Sequence, residues 1–242
     1  QYAIATPGGT ELAALALWAA DAHCEADDEF PSAILVNDVA NAYNTVDRDA
    51  VRKALETLGL DFLIPALDCL YRTDPAVRLQ QRGRNVFIVI MEIGLMQGCP
   101  LSTAVYCAVQ ACVYRTWRQS YRLPRMLLMI SYADDTNGIA AGTAAEIAMA
   151  FVGAFRIMRD SGLERNRKKT YILIRHHVAK KFPGFATDLR AALRAAFAEC
   201  ASDPDSAPAQ PGAVAGPVGG TAAPLWTRVV VEGECPDADA GL

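Results

Sequence analysis

No run in the 242 residues approaches the roughly 20 uncharged apolar positions that a membrane-spanning helix needs. The opening Gln1-Tyr2-Ala3-Ile4 has neither the basic start nor the apolar stretch of a signal peptide. No membrane partner is expected, and the chain reads as intracellular. It also lacks an initiator Met and reads as a piece of a longer protein. A C-x-x-C pair is absent: Cys24, Cys69, Cys99, Cys107, Cys112, Cys200 and Cys235 are an odd set without a spacing pattern, and they read as reduced, packing thiols. His176 and His177 have no short-range ligand partners, so a plain strand end is expected there rather than a metal site.

What is present is apolar enough to fold. A hydrophobic content of 52% supports one sizeable core and excludes a disordered chain over most of the length. The net charge of −4 is unevenly spread. Residues 201–242 set six acidic side chains against Arg228 alone, a local −5, which leaves the first 200 residues at +1. Between positions 72 and 125, Arg72, Arg78, Arg82, Arg84, Arg115, Arg118, Arg122 and Arg125 face only Asp74 and Glu92. Such a basic stretch suits a phosphate backbone, although any one of these arginines could equally be a solvated surface charge.

The hydrophobic periodicity predicts a helix over 11–26 and a buried strand over Ser32-Ala-Ile-Leu-Val-Asn-Asp38 that delivers Asp38 at its end. A helix with Val51, Ala54, Leu55 and Leu58 on one face should stop at Gly59, and another helix covers 62–70. Strands at 76–80 and 85–92 flank the basic turn Arg82-Gly83-Arg84. A long apolar helix follows over 102–117, then strands at 126–132 and 136–140 around Ala133-Asp134-Asp135. Thr143-Ala-Ala-Glu146 fits a capping box for a helix ending at Gly162. A strand at 170–174 and an Ala-rich helix over 188–200 complete the ordered part. From 202 onward Pro, Gly, Ala and Asp dominate; only 226–231 could make a strand, and the segment is expected to be disordered. The alternation of strands and helices argues for an α/β or α+β domain with helices against one sheet face.

Three carboxylates carry the chemistry. Asp38 closes one strand, and Asp134 and Asp135 occupy a turn between two others, so all three could converge at one sheet edge. Two or three carboxylates suffice for magnesium, which keeps waters and substrate phosphates in its shell. Turns favour Asp for local hydrogen bonding, so the Asp-Asp pair alone decides nothing.

The order of the surrounding segments is more specific. Asp38-Val-Ala-Asn-Ala42-Tyr43-Asn44 resembles motif A of reverse transcriptases, and Gly94-Leu-Met-Gln97-Gly98-Cys-Pro100-Leu-Ser102 resembles motif B. Tyr132-Ala133-Asp134-Asp135 is similar to motif C, Gly162-Leu-Glu-Arg-Asn166-Arg-Lys-Lys169-Thr170 to motif D, and residues 1–11 to the segment before motif A in non-LTR retrotransposon polymerases. The likeness covers roughly residues 1–175. It implies a polymerase palm, an α+β fold whose antiparallel sheet packs against helices, and an RNA-directed DNA polymerase that adds deoxynucleotides to a primer 3′-hydroxyl. It further implies two magnesium ions, or manganese in their place, held by Asp38, Asp134 and Asp135. By the same resemblance Val39, Ala40, Tyr43, Gln97 and Gly98 bind the nucleotide, with Tyr43 under the sugar as a gate against a 2′-hydroxyl. Lys169 is implied as general acid for the departing pyrophosphate, with Lys168 as rival. Arg78, Arg82 and Arg84 are candidates for template or primer phosphates that no motif fixes.

The expected partners are an RNA template, a DNA primer, deoxynucleoside triphosphates and the rest of a retroelement polyprotein, with a nuclear location if priming is chromosomal. The expected division is a reverse transcriptase domain over 1–181 with partial fingers and palm, a helix over 182–200, and the acidic tail over 201–242. Full fingers and a thumb are not legible in this chain. The competing reading is a catalytically inactive relic of the fold that serves as a nucleic-acid-binding or protein-interaction scaffold. An RNA-dependent RNA polymerase or intron maturase would share the metals, but Tyr43 argues against ribonucleotide synthesis.

Overall fold

The computed structural model describes residues 9–26, 29–81, 84–120, 126–132, 135–166, 168–202 and 228–231. Helix α1 (Gly9–Ala26) leads to strand β1 (Ser32–Asp38), the four-residue helix α2 (Ala42–Thr45), α3 (Arg48–Thr57), a short 3-10 turn at Asp61–Leu63 and α4 (Ile64–Tyr71). Among the described residues, strands β2 (Ala76–Gln81) and β3 (Arg84–Ile90) form a separate two-stranded sheet. Then come α5 (Pro100–Ser120), β4 (Met126–Tyr132), β5 (Asp135–Ala141), α6 (Ala144–Asp160), β6 (Tyr171–Ile174), α7 (His176–Lys181), α8 (Phe185–Ser202) and β7 (Arg228–Val231).

The main sheet has the order β4-β5-β1-β6-β7. β1 lies at its centre, antiparallel to β5 and to β6. That position explains why its sequence is a continuous apolar run: a strand covered on both faces has no solvent side to mark with polar residues. One face carries Ala33 and Leu35 of β1 with Ala140 of β5, packed beneath Ile147, Phe151 and Phe155 of α6 and Leu189 and Leu193 of α8. The opposite face carries Ile34 and Ile139, covered by Leu17, Ala20 and Cys24 of α1.

A second core lies around α5. Val51, Ala54 and Leu55 of α3, spaced to share one helical face, meet Val105, Val109 and Val113 there. Asp47 caps α3 by accepting from the Asp49 N–H at 2.8 Å, and Gly59, at φ +67°, follows its end as the sequence predicts. Trp117 ties the two cores together: its ring is buried, and its indole N–H donates to the Ala150 carbonyl at 2.7 Å. α6 begins with the predicted capping box, in which Thr143 and Glu146 exchange hydrogen bonds. These bonds hold the Glu146 carboxyl below its ordinary value, and a cap of this kind contributes about 1 kcal/mol.

The α+β architecture expected from the sequence is present, with one departure, at His176 and His177. Inside the 226–231 stretch that the sequence allows as a strand, Arg228–Val231 forms β7, which pairs in parallel with β6 and buries Val229. Its isolated apolar run, set in a Pro/Gly-rich context, finds the free edge of β6. His176 and His177 do not end a strand but open α7, where His177 Nδ1 lies 4.0 Å from Glu25 Oε1 and Arg175 pairs with the buried Asp21 at 3.4 Å.

Candidate active site

Asp38 is the last residue of β1, and its register partner is Asp135, the first residue of β5. Directly opposed residues of an antiparallel pair project to the same face, with Cβ atoms about 4.5–5.5 Å apart. Two carboxylates therefore share one face, beyond the end that α1 covers. Asp38 keeps 14% of its side chain exposed, and Lys169, 68% exposed, reaches over to place Nζ 3.5 Å from Asp38 Oδ1. Opposed like charges repel, and a cation offsets the repulsion. Lys169 supplies one. Asp134 lies outside the described residues; with Ala133 it connects Tyr132 of β4 to Asp135 of β5, which are themselves register partners.

The Gly162–Thr170 loop frames Asp38 from the other side. The Asn166 N–H donates to the Asp38 carbonyl at 2.7 Å, and the Ala40 N–H donates to the Glu164 carbonyl at 2.7 Å. Thr170 Oγ1 accepts from the Asp38 N–H at 3.5 Å and donates to Asn37 Oδ1 at 3.1 Å, with both polar side chains fully inside. The backbone on either side of the carboxylate is thus fixed by partners more than 120 positions away. The same contacts place two of the nucleotide-binding candidates. Val39 is buried in the α5 core and bridges to Arg165, and the Ala40 amide is engaged by the Glu164 carbonyl. They form the joint between the motif A-like and motif D-like segments.

The hairpin carrying Asp135 is held from below by hydroxyls. Tyr114 of α5 bonds to Ser131 and, at 2.7 Å, to Thr136, and those two are 3.1 Å apart across the β4–β5 ladder. Ser131 and Thr136 are buried, and burial raises the Tyr114 phenol above its ordinary value. The same helix therefore anchors the carboxylate hairpin and, at its N-terminus, the loop from Gly94 to Pro100.

That loop is tightly built. Arg48 Nε donates to the Gly94 carbonyl at 2.9 Å, and its terminal nitrogens reach the Met91 carbonyl at 2.6 Å and Asp74 at 3.0 Å. The Met96 N–H donates to the Tyr71 hydroxyl at 2.8 Å. At Gly94, φ +77°, a Cβ would collide with the Asn44 backbone, so glycine is required for space as well as for conformation. Gly98, φ +83°, is different: it is exposed, and nothing approaches where a Cβ would stand, so its requirement is the left-handed turn that presents Gln97. The Leu95 N–H donates to the Tyr43 carbonyl at 2.6 Å, joining this loop to the Asp38 segment. Tyr43 is half-buried; its ring packs on Tyr106 at 4.9 Å between centroids, and its hydroxyl is 3.5 Å from Thr103 Oγ1. Cys99 takes hydrogen bonds from the first turn of α5, which lower its thiol pKa.

Asp38, Asp135, Lys169 and the Gln97-Gly98 turn are thus each fixed to a shared framework of β1, β5 and α5. The pattern of the reverse transcriptase (RNA-dependent DNA polymerase) family matches this chain over residues 4–188. The chain belongs to the reverse transcriptase family. The match covers the motif A-, B-, C- and D-like segments and stops inside α8. Among solved structures, apo telomerase from Candida tropicalis is similar with a TM-score of 0.49 at 13% identity, covering 68% of this chain and 32% of that one. Candida tropicalis telomerase in complex with the TWJ fragment of telomeric RNA gives 0.48 at 13% identity, covering 67% and 29%. Candida albicans telomerase in the corresponding complex gives 0.43 at 14% identity, covering 67% and 30%. The chain spans about a third of the length of these structures. No curated protein sequence matches significantly.

Within this reverse transcriptase domain the donor set suits a hard divalent ion: Asp38 and Asp135 offer carboxylate oxygens from one face, and such ions take oxygen ligands. Of the basic candidates, Arg78 lies in β2 opposite Ile88, Arg84 lies in β3 opposite Gln81, and Arg82 lies outside the described residues. Sequence reading missed the roles of Thr170, Arg48 and Tyr114. Thr170 stood at the edge of the motif D-like segment, and Arg48 and Tyr114 sit in helices whose apolar periodicity says nothing about their polar atoms.

Proposed function

We propose that this chain is the catalytic palm of a retroelement RNA-directed DNA polymerase of the non-LTR type, working on a primer annealed to an RNA template. What carries the reading is the direct opposition of Asp38 and Asp135, with Lys169 3.5 Å from Asp38. Asp38, Asp134 and Asp135 would hold two magnesium ions, with manganese as the substitute. Bound there, such ions lower the pKa of the attacking primer hydroxyl and neutralise the leaving pyrophosphate.

The chain's own residues do the rest. Gln97 and Gly98 form an exposed turn against which a nucleotide base and template can lie. Tyr43 closes the floor of the sugar site, its ring fixed against Tyr106. Lys169 stands beside Asp38 and carries the proton that the departing pyrophosphate takes. Arg78, Arg82 and Arg84 would contact backbone phosphates from the β2–β3 hairpin. The partners are then the RNA template, the DNA primer, deoxynucleoside triphosphates and the remaining parts of a longer polyprotein; chromosomal priming would place the work in the nucleus.

Primer extension on an RNA template with magnesium and deoxynucleotides, run beside Asp134→Ala, tests this. Extension abolished by the substitution supports the reading. Extension that survives it overturns the metal site proposed here, and no extension by the protein in its full length favours the scaffold alternative.

A further inference from the structure

Arg165 belongs to no site described so far, yet it occupies a junction. Its backbone bridges to Val39, the residue immediately after Asp38, where the β1 ladder to β5 has ended. Its neighbours make the two close backbone bonds to the Asp38 segment: the Glu164 carbonyl receives the Ala40 N–H, and the Asn166 N–H donates to the Asp38 carbonyl. Its side chain goes elsewhere. The guanidinium lies 4.7 Å from the ring centroid of Phe155 in α6 and 4.7 Å from that of Phe197 in α8. Those rings are stacked, 6.3 Å apart and 8° from parallel, so one cation spans the seam between two helices. Bridged antiparallel residues project to one face, and Val39 follows Leu35 and Asn37 in strand alternation on the face that α6 covers, opposite the one that α1 covers. Arg165 therefore joins the loop that frames Asp38 to the helical layer behind it.

Phe197 lies beyond residue 188, where the match to the family stops. Arg165 nonetheless links the outer half of α8 to Val39, the residue after Asp38.

We propose that Arg165 is a positioning residue of the polymerase site, and that α8, through Phe197, is part of what holds Asp38 and Lys169 in register. This rests on the function proposed above. A planar guanidinium can lie against both rings at once, whereas an ammonium is a compact, strongly hydrated charge and cannot reproduce that contact. Loosening the loop moves Lys169 and the Asp38 carbonyl together, without touching the Gln97-Gly98 turn. The loss therefore falls on chemistry and spares nucleotide binding.

The experiment uses the full-length protein with Arg165→Met, Arg165→Lys and Phe197→Leu. Single-nucleotide addition should fall about tenfold or more in kcat, a loss typical of displaced catalytic groups, while KM for the nucleotide stays within about threefold. Arg165→Lys should not restore the rate. Hydrogen exchange at the Ala40 and Asn166 amides should accelerate about tenfold, with the interior of β1 unchanged. The double variant Arg165→Met with Phe197→Leu should be little worse than either alone, because both remove one contact. If Arg165→Met does not fold, Phe197→Leu reads the same contact from the other partner. Unchanged kcat with unchanged exchange at these amides overturns the proposal, as does an equal loss in kcat and binding. A wild-type protein without polymerase activity overturns the function proposed above, and the exchange measurement then decides this inference by itself.

Discussion

Lys169 Nζ stands 3.5 Å from Asp38 Oδ1 across 131 positions of sequence, which makes the lysine an internal counter-ion of the carboxylate expected to bind metal. In the proposed mechanism a cation in that place would compete with a divalent ion while keeping a proton beside the leaving group. Lys169→Ala should therefore lower kcat by about 100-fold, the scale of a lost general acid, and leave nucleotide KM within about threefold. Half-saturation in magnesium should move to lower concentration. Lys169→Arg should not recover the rate, since a guanidinium does not give up its proton. Equal losses in kcat and binding would reduce Lys169 to electrostatic support.

Tyr43 is proposed as the gate against a 2′-hydroxyl. Its ring is fixed against Tyr106, and its carbonyl is tied to Leu95, so neither the side chain nor the backbone is free to withdraw. Tyr43→Val should raise ribonucleotide incorporation relative to deoxynucleotide incorporation by about tenfold or more, the discrimination typical of a steric pocket change. An unchanged sugar preference removes the gate assignment and leaves Tyr43 as a core aromatic.

Tyr114 links α5 to the hairpin that carries Asp135. Tyr114→Phe deletes one oxygen and leaves Ser131 and Thr136 bonded to each other at 3.1 Å. The stability cost should be about 1–2 kcal/mol by denaturant titration. A fall in activity larger than the loss of folded protein, together with a higher magnesium requirement, would mark the hydroxyl as a support of the site. Wild-type activity in the folded fraction would limit it to packing.

Cys99 and the deeper cysteines should titrate apart. Hydrogen bonds from the first turn of α5 lower the Cys99 thiol, whereas burial raises Cys107 and Cys112. Alkylation followed residue by residue in a mass spectrometer should begin at Cys99 at lower pH than at the other two. Because Cys99 follows Gln97 and Gly98, a bound nucleotide with primer and template should slow that reaction. Labelling that ignores nucleotide would separate the Gln97-Gly98 turn from the binding site.

The parts legible in the sequence are those where local rules and tertiary structure agree. The capping box at Thr143 and Glu146, the stop at Gly59 and the buried run of β1 all follow from short patterns, and each stands where predicted. Asp38 at a strand end was legible for the same reason, whereas Asp135, expected in a turn, is the first residue of β5 because it pairs with Asp38 and Tyr132. What was not legible depends on distant partners. Arg48 reads as an ordinary first-turn helix residue until Met91 and Gly94 are brought to it. Val39 beside Asp38 could face either core or substrate, and only the bridge to Arg165 decides for the core. β7 was a lone apolar stretch whose partner edge, β6, lies more than 50 residues earlier.

The central claim is that Asp38 and its neighbouring aspartates carry metal-dependent, RNA-templated DNA synthesis. The most direct measurement is single-turnover addition of one deoxynucleotide to a DNA primer on an RNA template, across a magnesium titration, for the wild type and Asp38→Asn. The variant keeps the size of the side chain and the backbone bonds to Asn166 and Thr170 while removing the charge. The account predicts template-directed addition by the wild type and a loss of about 1000-fold or more in Asp38→Asn at every magnesium concentration, as expected where preorganised charge is removed from a reacting centre. Addition by Asp38→Asn within about threefold of the wild type would contradict it.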